Sequence, residues 1–157
     1  MTTPQPHERS APSFRFDFAA YDSTGRRTTI VEAKRRLGTD SRWATQYWRN
    51  LRAHRSVPST DFFALIVPDR LYIWRSAEPP DASPYEVDAH PLLAPYFERV
   101  GVQPGQIEPM AFELLVSWWL NDLARQQVDA RAVTPDLSRS GLLEAVSGAR
   151  IAHEGEE

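Results

Sequence analysis

The sequence has no cysteine, a single lysine, and no apolar run long enough to cross a bilayer. The missing cysteine removes disulfides and thiolate metal sites, and it fits a reducing, cytoplasmic setting. A membrane-spanning helix needs roughly 20 consecutive apolar residues, so no membrane association is expected. Residues 1–12 are polar and proline-bearing and lack the apolar core of a signal peptide. They are expected to be a flexible end, as is the acidic tail 152–157. The scarcity of lysine carries more information. Seventeen arginines stand against Lys34, which lies in Val31-Glu32-Ala33-Lys34. Arginine serves wherever a fixed positive charge will do. Lysine offers a compact ammonium that can give up its proton, which a guanidinium in a protein does not.

What remains is the make-up of an ordinary folded domain. A chain of 157 residues, 41% hydrophobic and 25% charged, can bury a core without staples. One domain over 13–151 is expected, with a core at 13–75 and a helical part at 92–147. The net charge of −3 hides an asymmetry. Residues 26–55 hold nine basic side chains against Glu32 and Asp40, a local charge of +7, so the rest carries −10. A segment of that sign is the footprint of a phosphate-backbone contact surface, or else a solvated helix face.

Residues 13–21 alternate, with Phe14, Phe16 and Phe18 on one side and Arg15 and Asp17 on the other, which predicts a half-buried strand. Asp22-Ser23-Thr24-Gly25 supplies a turn, and Thr28 to Lys34 a second strand, completing an antiparallel hairpin. Asp40-Ser41 predicts the N-cap of a helix over 41–54, with Trp43, Ala44, Tyr47, Trp48 and Leu51 on one stripe. The near-continuous apolar run 61–67 suits a central strand buried on both faces, and 71–75 returns as a fourth. Residues 76–91 read as a proline-bearing loop. Helices are expected at about 92–100, 109–127 and 136–147. The order β-β-α-β-β followed by helices predicts an α/β fold with a mixed four-stranded sheet. In the helix 109–127, the neighbours Trp118 and Trp119 lie about 100° apart and cannot share one core. One of them is expected at a homo-oligomer or partner-protein interface. The four histidines (His7, His54, His90 and His153) show no metal-ligand spacing, and structural or surface roles are expected for them.

In a strand, residues i and i+2 share a face, so Glu32 and Lys34 point one way while Val31 and Ala33 point the other. If Asp17 lies opposite Glu32 across the hairpin, two carboxylates and one ammonium converge. Phosphodiester hydrolysis needs a cation to polarise the phosphoryl oxygen and a nucleophilic water at neutral pH. Mg²⁺ takes oxygen ligands and keeps several waters, so the carboxylates of Asp17 and Glu32 with the Ala33 carbonyl are enough protein donors. The competing reading is a surface ion pair across neighbouring strands, worth roughly 0.2–1 kcal/mol.

Arg15-Phe16-Asp17, fifteen residues before Glu32-Ala33-Lys34 and followed by a helix bearing Gln46, resembles the PD-(D/E)XK phosphodiesterase superfamily. Its members have the restriction-endonuclease-like fold. The matching stretch runs from about 13 to 75, and Phe16 stands where the proline of the family's name would be. Glu8 is a candidate for a further acid, though too little chain precedes the first strand for the usual N-terminal helix. The resemblance implies a restriction-endonuclease-like core and a nuclease, in a restriction or defence role. It makes Asp17 and Glu32 metal ligands, Lys34 the catalytic lysine and Gln46 an assisting residue, with Mg²⁺ as cofactor and Mn²⁺ as substitute. DNA is the expected substrate, with RNA not separable from it, and Arg35, Arg36, Arg42 and Arg49 are the candidate phosphate contacts. The alternative keeps the fold without the chemistry. It is a binding or assembly subunit that docks nucleic acid or a protein through 26–55.

Overall fold

Alternation along the strands divides the core into two layers, and this division builds the molecule. The structure is a computed structural model that describes residues 15–55, 57–79 and 81–153. Its strands are β1 (Phe18–Tyr21), β2 (Arg27–Ala33), β3 (Phe62–Ile66), β4 (Arg70–Arg75), β5 (Tyr85–Asp88) and β6 (Arg150–His153). They form one mixed sheet in the order β5-β4-β3-β2-β1-β6. Among the described residues only β2 and β3 pair in parallel, with Glu32 opposite Leu65 and Ile30 opposite Phe63. A parallel pair needs a long crossover, and α1 (Ser41–His54) supplies it.

One face of the sheet presents Phe63, Leu65, Tyr72, Trp74 and Ile30 to α1. The other presents Phe18, Val31, Ala64, Ile66, Leu71 and Ile73 to the C-terminal helices. These are α2 (His90–Val100), α3 (Pro109–Ala124), α4 (Pro135–Ser140) and α5 (Leu142–Val146). Covered on both sides, β3 is the doubly buried central strand that its apolar run predicts. The Asp40 side chain accepts from the Trp43 N–H at 2.8 Å, so α1 begins where its cap predicts. Along α3, Trp119 is fully buried, while Met110, Leu114 and Trp118 at i, i+4 and i+8 remain 82%, 53% and 36% exposed.

The sheet is wider than expected. Strand β5 lies inside the segment read as the loop 76–91, and β6 reaches His153, past the expected domain end at 151. Thus 152–153 belong to the sheet rather than to a flexible tail. The first strand starts at Phe18 rather than 13, because the chain bends at Asp17. Phe16 therefore joins the layer under α1 and Phe18 the opposite layer, so the expected shared face does not form. Phe14, Glu8, most of the N-terminal segment and residues 154–157 lie outside the described residues. The helix expected at 109–127 stops at Ala124. The piece read as one helix at 136–147 is α4 and α5, broken at Gly141.

Gly141 adopts φ +88°, which side chains disfavour, and a Cβ there would meet the Phe62 ring at 3.2 Å. Gly141→Ala should therefore lower the unfolding free energy by about 1–3 kcal/mol. Urea denaturation of the two proteins measures this, and equal midpoints would contradict it.

Candidate active site

Strand β2 ends where three elements meet: the bend before β1, the middle of α1, and the last residue of β6. Val31 and Ala33 pack into the layer of the C-terminal helices. Glu32 points the other way, toward α1, and is only 4% exposed. The Tyr47 hydroxyl donates to Glu32 Oε1 at 3.3 Å. Lys34 is exposed at the strand's end, and its Nζ sits 5.9 Å from the centroid of the Tyr47 ring. Glu32, Lys34 and Tyr47 thus form a column on one face.

Asp17 joins them through a reciprocal pair of hydrogen bonds. Its backbone N–H donates to Glu32 Oε2 at 3.0 Å, while its own Oδ2 accepts from the Ala33 N–H at 2.8 Å. In an extended residue the N–H and C=O point to the same edge, so the Ala33 carbonyl also faces the Asp17 side. Glu113 of α3 and His153 of β6 are bonded to each other, carboxylate to imidazole, and their charges reach Asp17. The His153 ring stacks on Phe18 at 4.8 Å.

Burial and charge set the proton affinity here. Burial first, and the Asp17 charge after it, push the Glu32 carboxyl up to about 8. Lys34, the Asp17 N–H and the Tyr47 hydroxyl pull the other way without cancelling this. Asp17 is also raised, first by burial, against the lowering effect of the Ala33 N–H. Burial and the Glu32 charge raise the Tyr47 hydroxyl, so it stays protonated and can donate. Two carboxylates that resist ionising side by side have one ready route to relief, a cation between them. Among the described residues, no three acids or histidines gather closely enough to hold a metal by side chains alone. A cation here would rest on Asp17, Glu32, the Ala33 carbonyl and water, a donor set that suits Mg²⁺.

The other expected residues behave differently. Gln46 is exposed on the far side of α1, and its Nε2 donates to Asn50 Oδ1 at 2.9 Å. It does not meet the carboxylates; its neighbour Tyr47 does. Arg35 donates to the carbonyls of Ile107 at 2.8 Å and Gly105 at 2.6 Å, holding the loop before α3. Arg36 lies 5.4 Å from the Trp43 ring centroid. Arg42 and Arg49 are exposed on α1. Arg26, also in the basic segment, pairs with Asp61 at 2.8 Å. Part of the +7 charge is therefore engaged within the protein. Tyr47, Glu113 and His153 are the members that sequence reasoning missed. Tyr47 was legible only as a core aromatic, and Glu113 lies 40 residues from His153.

No protein-family model matches the chain, and no curated protein or solved structure is significantly similar to it.

The raised Glu32 carboxyl has a consequence for stability. The folded state holds the proton between the ordinary value of 4.5 and about 8, where the unfolded chain has released it. Stability from this group is full at low pH and is lost as pH rises through that window. Glu32→Gln should flatten the decline, gaining on the parent at pH 8.5 relative to pH 4. Melting curves across pH in EDTA test this, and parallel curves for the two proteins would refute it.

Proposed function

We propose that the protein is a metal-dependent nuclease with a restriction-endonuclease-like core, hydrolysing phosphodiester bonds of DNA with Mg²⁺, or with Mn²⁺ in its place. The observation that carries this reading is the reciprocal bonding of Asp17 with Glu32 and Ala33. It gathers two proton-hungry carboxylates beside an exposed lysine. A bound Mg²⁺ would supply positive charge to polarise the phosphoryl oxygen and would acidify water. Asp17, Glu32 and the Ala33 carbonyl are the groups that would hold it.

The chain's own residues divide the remaining work. Tyr47 keeps Glu32 Oε1 oriented, leaving Oε2 toward Asp17. Lys34, exposed at the end of β2, meets the incoming phosphodiester. Its ammonium either stabilises charge on the phosphate or, once deprotonated, takes a proton from the attacking water. Glu32 and Asp17 must lose their protons to bind the cation, so activity should rise with pH toward about 8.

A second reading is favoured by the same bonds seen another way. Each carboxylate already accepts a backbone N–H, and Gln46 points away. On that reading the acids pin the chain entering β1, and the protein is a binding or assembly subunit. It would dock nucleic acid through 26–55, or a protein partner there or on the exposed stripe of α3.

Plasmid DNA with Mg²⁺ distinguishes the two. The parent should nick it. Lys34→Ala should be slower by roughly 100-fold or more, and Asp17→Ala should be inactive. Equal cleavage by all three would mark a contaminant and sink the nuclease reading. Metal-independent binding without product would favour the second.

A further inference from the structure

A cavity of about 490 Å³ opens beside the C-terminal end of α1, in the same layer as Glu32 but toward the opposite end of the strands. The register fixes this placement: Glu32 pairs with Leu65, while Phe63 of the cavity pairs with Ile30, two residues back along both strands. Its size is that of a small-molecule site, for which roughly 300–1,000 Å³ is usual. No part of the carboxylate constellation lines it.

The lining has two parts. The first is an aromatic cluster of Trp48, Phe63 and Trp74. Trp48 lies 4.2 Å from Phe63 with planes 25° apart, and 5.4 Å from Trp74 with planes 28° apart. Trp48 lies over Phe63 and Trp74, which are 3% and 6% exposed, and half-buried Trp48 is the ring of the three most open to the cavity. Among the described residues the buried Trp74 Nε1 has no acceptor. The second part is a cationic rim of Arg52, Arg55 and Arg75, against which the lining sets one acid, Glu78. Arg75 pairs with Glu78 at 3.7 Å, and Arg52 lies over the Trp48 ring at 5.2 Å. Arg55, exposed at the helix end, is the third lining arginine.

A half-buried indole beside guanidinium groups matches one ligand chemistry, a planar base joined to a phosphate. Stacking on aromatics tolerates any base, while arginine recognises phosphate by paired hydrogen bonds. We propose that this cavity binds a nucleotide, its base against Trp48 and its phosphate on Arg55 and its neighbours. The nucleotide could be free or one unpaired residue of a strand. The site is separate from the carboxylate pair and holds whether or not that pair cleaves DNA.

The test uses the full chain in EDTA, so that hydrolysis plays no part. Thymidine 5′-monophosphate, the single-stranded oligomer (dT)10 and ribose 5-phosphate are each titrated while tryptophan fluorescence is read. Thymidine monophosphate and (dT)10 should quench saturably, and ribose 5-phosphate should not. Binding of (dT)10 tighter by tenfold or more assigns the site to an unpaired strand residue, and equal affinity assigns it to a free nucleotide. Arg55→Ala, at an exposed position that the fold does not need, should weaken binding about tenfold. Trp48→Phe keeps a flat ring and should weaken it by a smaller factor. Absence of saturable quenching overturns the proposal. So does ribose 5-phosphate binding as well as thymidine monophosphate, or Arg55→Ala matching the parent with an unchanged melting curve.

Discussion

The hydrogen bonds between Asp17 and the end of β2 fix the geometry on which the rest of this end of the molecule depends. A carboxylate that accepts from Ala33 N–H, on a residue whose own N–H donates to Glu32, cannot continue an ideal ladder. The chain bends there, β1 begins one residue later, and Phe16 and Phe18 fall into different layers. The bend thus anchors both hydrophobic layers at one place, Phe16 under α1 and Phe18 beneath the His153 ring. A buried acid in mid-strand would otherwise be costly. Glu32 is tolerable because the Asp17 N–H and the Tyr47 hydroxyl reach it, and because it can keep its proton.

Much of this fold is legible in local sequence, and the parts that are not share a physical reason. The run 61–67 announces a strand covered on both sides, and β3 is that strand. The Asp40 cap and the aromatic stripe locate α1 to the residue. Glu32 and Lys34 share a face because the period of two holds through β2. Residues Tyr85 to Asp88 also alternate, with Val87 buried between exposed acids, but four residues among prolines carry too little apolar signal to read as a strand. Strand β6 has even less, since half-buried Ile151 and Ala152 are held by pairing with a strand 130 residues away. Pairings at that separation leave no trace in any local window. The bend at Asp17 is invisible for a related reason. It is made by side chains bonding to the backbone of β2, against an alternation of phenylalanines that promises a straight strand.

The candidate site was legible in its acids and its lysine, and not in its supports. Gln46 and Tyr47 are adjacent, yet a helix turns about 100° between them, so only one can look at the sheet. Amphipathic pattern alone gives that place to Tyr47, and a tyrosine on an apolar stripe reads as packing. Its hydroxyl is what changes the meaning. The basic segment is similarly altered by context, because Arg35 is occupied by the carbonyls of the loop before α3 and Arg36 by an indole face. Charge counted along a sequence measures supply, and the fold decides how much of it reaches solvent.

Strand β6 closes on β1, and its final residue stands beside Asp17. Such a pairing closes the longest loop in the sheet and pays its entropy last. During synthesis β1 has one neighbour, β2, until the chain past residue 150 has left the ribosome. Until then the other edge of β1 stays open and the surroundings of Asp17 are incomplete. A chain cut before residue 150 would therefore hold the acids and the lysine without the edge that frames them.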